Sequence, residues 1–269
     1  MRLKGKTVVI TGATGLLGEQ HAKAVLNEGG NAVLLDIDED RLAKLSNNFA
    51  KDYDSKFLTY KCDITEEKAI LNVLSSVKQI FGAPNGLVNN AAINPSVEKN
   101  TNRFNRIEDI TKESWDEEFE VGLWGSFLCT RVFGTAMLAE GLQGSIVNIS
   151  SDHGLIAPNQ TLYQVRGLPS ETQPVKPVTY SVIKHGLIGL TRYFSTYWAQ
   201  QGIRVNTLCP GGVLNGQDEE FLNRFNQLIP LGRPANPNEY QGALNFMLSD
   251  ESSYMTGATI VVDGGRSVW

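Results

Sequence analysis

Tyr180 and Lys184, in the stretch TYSVIKHG, have the spacing that places two side chains on one face of a helix. A phenol with an ordinary pKa of about 10 is a poor base at neutral pH. A nearby ammonium group favours the phenolate and lowers that pKa. Ser151, at the end of SIVNISS, can hold a carbonyl or alcohol oxygen while hydride moves. Together the three side chains predict acid–base chemistry at a carbon–oxygen bond, although a Tyr-x-x-x-Lys pair alone also fits an exposed helix pair.

A glycine triplet near the N-terminus predicts a dinucleotide site. Gly12, Gly15 and Gly18 lie in VVITGATGLLG, between a predicted strand and a predicted helix. The first two glycines allow a tight turn and close approach of the backbone to a diphosphate, and the third lets the helix pack against the strand. The diphosphate would lie at the helix N-terminus, where free N–H groups favour an anion. Three glycines that serve only a turn and packing are the alternative.

Asp36, at the end of the second predicted strand, indicates which dinucleotide is bound. A carboxylate there accepts hydrogen bonds from the ribose hydroxyls of adenosine and repels a 2′-phosphate. Because no arginine or lysine lies in the glycine turn or directly after Asp36, we expect NAD(H) rather than NADP(H). Asp63, after the third strand, is placed either to meet the adenine or to cap the helix that begins near Thr65.

These residues need a parallel sheet covered by helices, and the hydrophobic pattern predicts one. Short β-branched runs alternate with longer helical stretches, which is typical of a doubly wound, Rossmann-type α/β fold with seven parallel strands. The predicted strands are 7–11, 31–36, 57–62, 86–90, 145–150, 203–209 and 259–263. The predicted helices are 16–28, 39–50, 66–81, 112–139, 179–201 and 237–248, and Ser114 with Glu117 predicts a capping box for the fourth.

Composition excludes several classes of protein. The 269 residues carry a formal net charge of -5, which argues against a nucleic-acid partner. The three cysteines are far apart in the chain, which fits a reducing compartment, and no residue pattern predicts a metal site. We find no signal peptide and no apolar run of about 20 residues for a membrane span. The sequence therefore predicts a single cytoplasmic domain over 1–269.

Two segments interrupt the alternation of strands and helices. Residues 152–178 contain four prolines and no period, which predicts a functional loop over the site. Residues 211–236 contain a glycine-flanked loop and a short helix, which predicts a substrate lid. Within the first segment, Gln160, Tyr163, Arg166 and Lys176 suit a polyhydroxylated or phosphorylated ligand, and we expect Arg166 to bind its phosphate.

The chain resembles the short-chain dehydrogenase/reductase family over nearly its whole length. The motifs that carry the resemblance are TGATGLLG (11–18), NNAA (89–92), NISS (148–151), YSVIK (180–184), CPGGV (209–213) and MTGATIVVDGG (255–265). The resemblance implies hydride transfer at a carbinol or carbonyl carbon and a homotetramer or homodimer built on the fourth and fifth helices. It implies that Ser151, Tyr180 and Lys184 are catalytic. The candidate cofactor-binding residues are then Gly12, Thr14, Gly15, Leu16, Leu17, Gly18, Asp36, Ile37, Asp63, Ile64, Asn90, Ala91, Ala92, Tyr180, Lys184, Pro210, Gly211 and Val213.

The chain departs from the family pattern in the fourth helix. The family's VNLxGxF is VGLWGSF here, so Gly122 replaces an asparagine that supports a water in the family's proton relay. Either a water fills that space or the relay takes another route, for which Asp152 and His153 are candidates; a loop histidine bonded to backbone is the alternative for His153. We expect Gly125 to be a packing glycine and Gly122→Asn to be tolerated.

Other departures concern the branch of the family and the loops. The glycine spacing is that of the longer, nucleotide-sugar-modifying branch, whereas the length and C-terminal half are those of the compact branch. Ser151 and Tyr180 lie 29 positions apart, further than in a typical member, and Asn215 stands where many members have threonine.

The sequence predicts an NAD-dependent oxidoreductase that acts on a secondary alcohol or ketone, with a sugar or sugar phosphate as substrate and His153 and Arg166 as substrate contacts. The extended SSDHGLIAPNQ segment also resembles oxidoreductases of bacterial surface-glycan pathways, including those that make sialic-acid-like sugars for flagellin. Two alternatives stay open. One is an epimerase or dehydratase that reduces NAD only transiently, and the other is a non-catalytic dinucleotide-binding scaffold.

Overall fold

A parallel sheet of seven strands forms the centre of the computed structural model, which describes residues 1–93 and 106–269. The strand order is β3-β2-β1-β4-β5-β6-β7, so the chain changes direction across the sheet between β1 and β4. In such sheets the ligand crevice lies at the carboxyl ends of the strands beside this point. The predicted fold class is confirmed. The strands are Thr7–Thr11 (β1), Asn31–Asp36 (β2), Phe57–Lys61 (β3), Gly86–Asn89 (β4), Gly144–Ile149 (β5), Ile203–Pro210 (β6) and Thr259–Val262 (β7).

Helices cover both faces of the sheet and give each face its own hydrophobic core. Successive strand residues alternate between the two cores: Ile10 of β1 lies in one and Val9 in the other. The helices are Leu16–Asn27 (α1), Glu39–Phe49 (α2), Glu67–Phe81 (α3), Lys112–Phe119 (α4), Ser126–Ala139 (α5), Val178–Tyr197 (α6), Glu219–Asn226 (α7) and Gln241–Leu248 (α8). Helices α1, α2 and α8 contribute to the first core, and α3, α5 and α6 to the second.

The predicted helix 112–139 is divided by a π-helical turn over Glu120–Gly125. The part before this turn, α4, has Thr111 as its N-cap. The Oγ1 atom of Thr111 accepts a hydrogen bond from the Ser114 N–H at 3.2 Å, so the predicted capping box on Ser114 is wrong. Both Gly122 and Gly125 are buried in the wide turn. A π turn of this kind widens the helix locally and is frequent at functional sites.

The two glycines of the turn are both packing glycines. A Cβ atom on Gly125 would lie 2.7 Å from Cδ1 of Ile64, which agrees with the role expected for this glycine. A Cβ atom on Gly122 would lie 2.6 Å from Cγ2 of Ile183. This packing argues against the expectation that Gly122→Asn is tolerated, because isoleucine already fills the space beside Gly122.

The stretch Lys112–Ala139 is the one helix of the described residues that is long and apolar enough to cross a membrane. A core helix passes the same test of length and composition. In the fold, 61% of the apolar window of this stretch is buried, and α5 packs against β4, β5 and α3. The burial is that of a core helix.

The segment 152–178 is held in place by two glutamine side chains that pair with backbone groups. Gln160 accepts from the Lys176 N–H at 2.9 Å and donates to the Lys176 carbonyl at 3.4 Å. Gln173 pairs in the same way with Val165, at 2.8 and 3.0 Å. Leu162 packs with Phe225 and Ile229 of the segment 211–236. The two segments that interrupt the α/β alternation therefore cover each other.

Candidate active site

In the turn between β1 and α1, Gly12 and Gly18 stand where a side chain would meet neighbouring atoms. Gly12 has a φ of +62°, and a Cβ atom there would lie 2.8 Å from Cα of Ala91. A Cβ atom on Gly18 would lie 2.1 Å from the Gly12 carbonyl oxygen, so the third glycine lets α1 pack against its own turn. Asn90 at the end of β4 fixes the turn from the side, because its Nδ2 donates to the carbonyls of Thr11 and Gly12, both at 3.0 Å.

A cavity of about 920 Å³ runs from this turn to the carboxyl ends of β5 and β6. Its size and its position at the change of strand direction suit a dinucleotide together with a small substrate. Gly18 alone among the candidate cofactor residues does not border it. Those that do are Gly12, Thr14, Gly15, Leu16, Leu17, Asp36, Ile37, Asp63, Ile64, Asn90, Ala91, Ala92, Tyr180, Lys184, Pro210, Gly211 and Val213.

Asp36 lies against the glycine turn at one end of the cavity. Its carboxylate accepts hydrogen bonds from the backbone N–H and the hydroxyl of Thr14, at 2.9 and 2.7 Å. The guanidinium group of Arg41, from α2, donates to the Thr14 carbonyl at 2.6 Å and also borders the cavity. Sequence reasoning did not select Arg41, because the residue lies inside α2 and not directly after Asp36.

Asp63 lies at the cavity and is not the N-cap of the following helix, so the predicted capping role is wrong and the adenine contact stays a prediction. It borders the cavity, and its Oδ1 accepts hydrogen bonds from the Thr65 N–H at 2.9 Å and the Thr65 hydroxyl at 2.7 Å. These bonds shape the turn before α3, whose N-cap residue is Glu66. Asp63 is therefore fixed by its own turn in a position where it faces the cavity.

Ser151, Tyr180 and Lys184 lie together at the other end of the cavity. Ser151 directly follows β5, and the other two lie one turn apart near the start of α6. The Lys184 ammonium group donates to the Ile149 carbonyl at 2.9 Å, and the Ser150 hydroxyl donates to the Lys184 carbonyl at 2.7 Å. These two bonds fasten α6 to the end of β5.

Burial shifts the pKa values of Tyr180 and Lys184. Burial raises the pKa of Tyr180 to about 12, against the effect of its hydrogen bond with Ser151. Burial, together with the smaller effect of the charge on Lys176, lowers the pKa of Lys184 to about 8. Without a cofactor the phenol is therefore neutral at physiological pH, and more positive charge is needed to ionise it.

A buried ion pair lies directly behind Ser151. The Ser151 hydroxyl donates to Oδ1 of Asp152 at 2.8 Å, and Asp152 in turn pairs with Arg266 at 2.5 Å. The side chains of Arg266 and Asp152 are only 5% and 4% exposed. The guanidinium group of Arg266 also lies 5.0 Å from the ring centroid of Phe225, on α7. Sequence reasoning missed Arg266, since no local pattern connects a residue near the C-terminus with a loop 114 positions earlier.

His153 borders the cavity, whereas Arg166 does not. The imidazole ring lies edge-on to Tyr180 with 6.0 Å between ring centroids, and burial lowers the pKa of His153 to about 4. Arg166 lies on an exposed turn of the segment 152–178. The expected contact of Arg166 with a substrate phosphate is therefore not supported, because Arg166 is not among the residues that line the cavity.

Residues of the two covering segments close the catalytic end. Lys176 and Tyr163 border it from the first segment, and Gln217, Phe221 and Phe225 from the second. The π turn adds Glu120, next to the end of α4. In the part of the chain that the structure describes, no three histidine, cysteine or carboxylate side chains are grouped as metal ligands. The arrangement supports acid–base chemistry on a small polar molecule.

Comparison with known proteins identifies the architecture. A family model described as short chain dehydrogenase matches residues 6–164, and one described as enoyl-(acyl carrier protein) reductase matches residues 170–267. The chain is 32% identical to the NADH-dependent L-xylulose reductase of Ambrosiozyma monospora, over 100% of this chain and 97% of that protein. It is 30% identical to the NAD-dependent glycerol dehydrogenase of Listeria innocua, over 98% and 94%. A short chain dehydrogenase from Leptospira borgpetersenii, solved with bound NAD+, superposes with a TM-score of 0.84 at 29% identity over 99% of this chain and 94% of that one.

Proposed function

The chain belongs to the short-chain dehydrogenase/reductase family, and we propose that it is an NAD(H)-dependent dehydrogenase of a small polyhydroxylated alcohol, a sugar or a sugar alcohol. The family, the alcohol or ketone class of substrate and the NAD(H) cofactor follow from the comparisons. The polyhydroxylated substrate is the part that we propose.

The polar lining of the catalytic end carries this proposal. Around Ser151 and Tyr180 the cavity is bordered by Asp152, His153, Lys176 and Arg266, and its apolar contribution there comes mainly from Phe221 and Phe225. Several hydrogen-bonding groups around one reacting carbon suit a molecule with several hydroxyl groups. A fatty acyl chain or a steroid would instead need a long apolar wall.

The residues that line the cavity would bind the cofactor at one end and transfer the substrate proton at the other. The glycine turn, Asp36 and Asn90 would hold the adenosine and diphosphate parts of the cofactor, and Lys184 the ribose next to the nicotinamide. When bound, NAD+ accepts the hydride from the carbinol carbon. The phenolate of Tyr180 accepts the hydroxyl proton, and Lys184 stabilises that phenolate. Since the single hydroxyl proton of the alcohol goes to Tyr180, Ser151 would hold the substrate oxygen as a hydrogen-bond donor, with its O–H turned away from Oδ1 of Asp152, to which it donates in the structure.

The two relatives named above support a small polyol, since one is named for L-xylulose and the other for glycerol. They give no support to a role in surface-glycan synthesis, which the loop sequence suggested. We therefore propose the substrate class without a pathway.

A substrate panel tests the proposal. Polyols and the corresponding keto-sugars are offered with NAD+ or NADH, and turnover is followed by the absorbance of NADH. We expect turnover on at least one of them and a loss of about 10²- to 10⁴-fold in Tyr180→Phe, with NAD binding retained. Tyr254→Phe, at a fully exposed position outside the cavity, is the matched control and should keep full activity.

Other outcomes of the panel would favour the alternatives. Conversion of a sugar to its epimer or dehydrated product, with no net NADH, would favour transient use of NAD. Binding of NAD with no turnover on any member of the panel would favour a non-catalytic scaffold.

We also propose a homo-oligomer that works in the cytoplasm. Trp124 in the π turn and Tyr193 and Tyr197 on α6 are between 46% and 62% exposed, although they are large and aromatic. Exposed patches of this kind mark protein–protein contacts, and they lie on the helices that the family resemblance assigns to an interface. Light scattering on the purified protein measures the number of subunits, and a monomer would refute this part.

A further inference from the structure

We propose that Lys176 is a positioning residue of the reaction, whose ammonium group lies over the ring of Tyr180 and stabilises the phenolate that accepts the substrate proton. This inference rests on the proposed function only for the identity of the base. The Nζ atom of Lys176 lies 3.8 Å from the centroid of the Tyr180 ring, and that of Lys184 lies 5.5 Å away. Tyr180 therefore has two ammonium groups near its ring: that of Lys176, which precedes it in the sequence, and that of Lys184, which follows it.

The position of Lys176 is built into the fold. Gln160 pairs with both backbone groups of Lys176, as described above, and Pro177 restricts the residue before it to an extended conformation. Helix α6 begins at Val178, so Lys176 lies just before the helix and four positions before Tyr180. The stretch 152–178, which makes the separation of Ser151 and Tyr180 unusually long, is what delivers this lysine.

The charges around Lys176 come from several elements. Asp152 from the turn after β5 and Glu118 from α4 favour its charged form, and burial opposes it, so that the pKa of Lys176 is lowered to about 8. Its charge acts in turn on Lys184 and on His153, lowering the pKa of each. Below about pH 8 the ammonium form predominates. A cation on the face of an aromatic ring is attracted by the ring's negative face, and the attraction increases when the phenol becomes phenolate.

The packing at Gly122 gives a reason why a second lysine beside Tyr180 would help to stabilise the phenolate. In the family, an asparagine at this position supports a water in the proton relay; here Ile183 lies where the side chain of residue 122 would begin. A direct ammonium contact on Tyr180 can lower its pKa without that water, since an opposite charge within about 4–6 Å shifts a pKa by about 1–3 units.

A titration of Tyr180 in the binary complex tests the proposal without any substrate. Wild type and Tyr180→Phe are titrated with NAD+ bound, and the difference in tyrosinate absorbance gives the pKa of Tyr180. Lys176→Met should raise that pKa by about 1 unit or more, and Lys176→Arg should keep it close to the wild-type value. Lys61→Met, a surface lysine paired with Glu39, is the matched control. Thermal unfolding and NAD+ affinity identify variants that fold, and Lys176→Gln replaces Lys176→Met if the latter does not.

An unchanged Tyr180 titration in a folded Lys176 variant would overturn the proposal, whatever the substrate proves to be. Once a substrate is found, a raised KM with an unchanged pH profile would overturn it too, because Lys176 would then be a substrate ligand. A shift of the acidic limb of kcat/KM to higher pH, equal to the shift in the titration, supports it.

Discussion

Ile183 packs against the backbone of Gly122, at a distance that excludes a side chain on the glycine. A Cβ atom on Gly122 would lie 2.6 Å from Cγ2 of Ile183. Ile183 is buried, immediately precedes Lys184, the lysine proposed to be catalytic, and is β-branched, so its side chain has little rotational freedom in the helix. We infer that the glycine at position 122 and the isoleucine before Lys184 are matched to each other, as one exchange between the π turn and α6.

The exchange predicts strong coupling between the two positions. Gly122→Asn should destabilise the fold by about 1–3 kcal/mol, because it overpacks the contact. In the double variant with Ile183→Ala, the loss should be smaller than the sum of the two single losses by about 1 kcal/mol or more. Urea unfolding measures each free energy. Gly189→Ala is the control: no neighbouring atom lies within 4 Å of the added Cβ, so this change should be neutral or stabilising by up to about 1 kcal/mol. Additive losses at the two positions would refute the exchange.

The ion pair of Asp152 and Arg266 should be costly to break from one side. Arg266→Met leaves a buried carboxylate without its partner, and we expect a loss of about 3–5 kcal/mol in the free energy of unfolding. Asp152→Asn combined with Arg266→Met should lose less than Arg266→Met alone, since the uncompensated charge is removed. Lys112→Met, which breaks an exposed pair with Asp116, should cost less than about 1 kcal/mol. Equal losses in the single and double variants would show that the charge is not the cause.

His21 should make the fold sensitive to acid. Among residues 1–93 and 106–269, neither ring nitrogen of this buried histidine has a hydrogen-bond partner, and burial lowers the pKa of His21 from 6.5 to about 4. The unfolded chain therefore takes up a proton more readily, and stability is lost as the pH falls from 6.5 towards 4, by at most about 1.4 kcal/mol per pH unit. His21→Leu should reduce this slope in a plot of unfolding free energy against pH. His185→Gln, at an exposed position, should leave the slope as it is in wild type.

Asp36 should decide the preference for NAD over NADP. Its loss removes a charge-assisted hydrogen bond to the ribose and the repulsion of a 2′-phosphate, so Asp36→Asn should lower the ratio of NAD to NADP affinity by about 10-fold or more. Fluorescence titration with each reduced cofactor measures the ratio. Asp63→Asn, in the same cavity, should change both affinities by a similar factor and leave the ratio unchanged.

Structural features that depend on residues close together in the sequence could be predicted from the sequence alone. The seven strands and most helix boundaries follow from hydrophobic periodicity, and the glycine turn follows from its place between a strand and a helix. The four-residue spacing of Tyr180 and Lys184 places them on one face of α6, because the helical repeat is local geometry. The N-cap was missed by three residues, since Thr111 and Ser114 are both acceptable capping residues and only the backbone distinguishes them.

Features that join distant parts of the chain were decided by tertiary packing. Loop polarity selected Arg166 as a substrate contact, but the path of the loop brings Lys176 to the cavity and leaves Arg166 outside it. Arg266 reaches Asp152 only because β7 lies beside β6, which returns the C-terminal residues to the catalytic end of the sheet. The sequence by itself determined the fold class and the glycine turn and singled out the candidate catalytic side chains, since these depend on local periodicity and spacing. Which charges surround the base, and why a glycine stands at position 122, depended on side chains that meet only when the sheet and its two covering segments have packed.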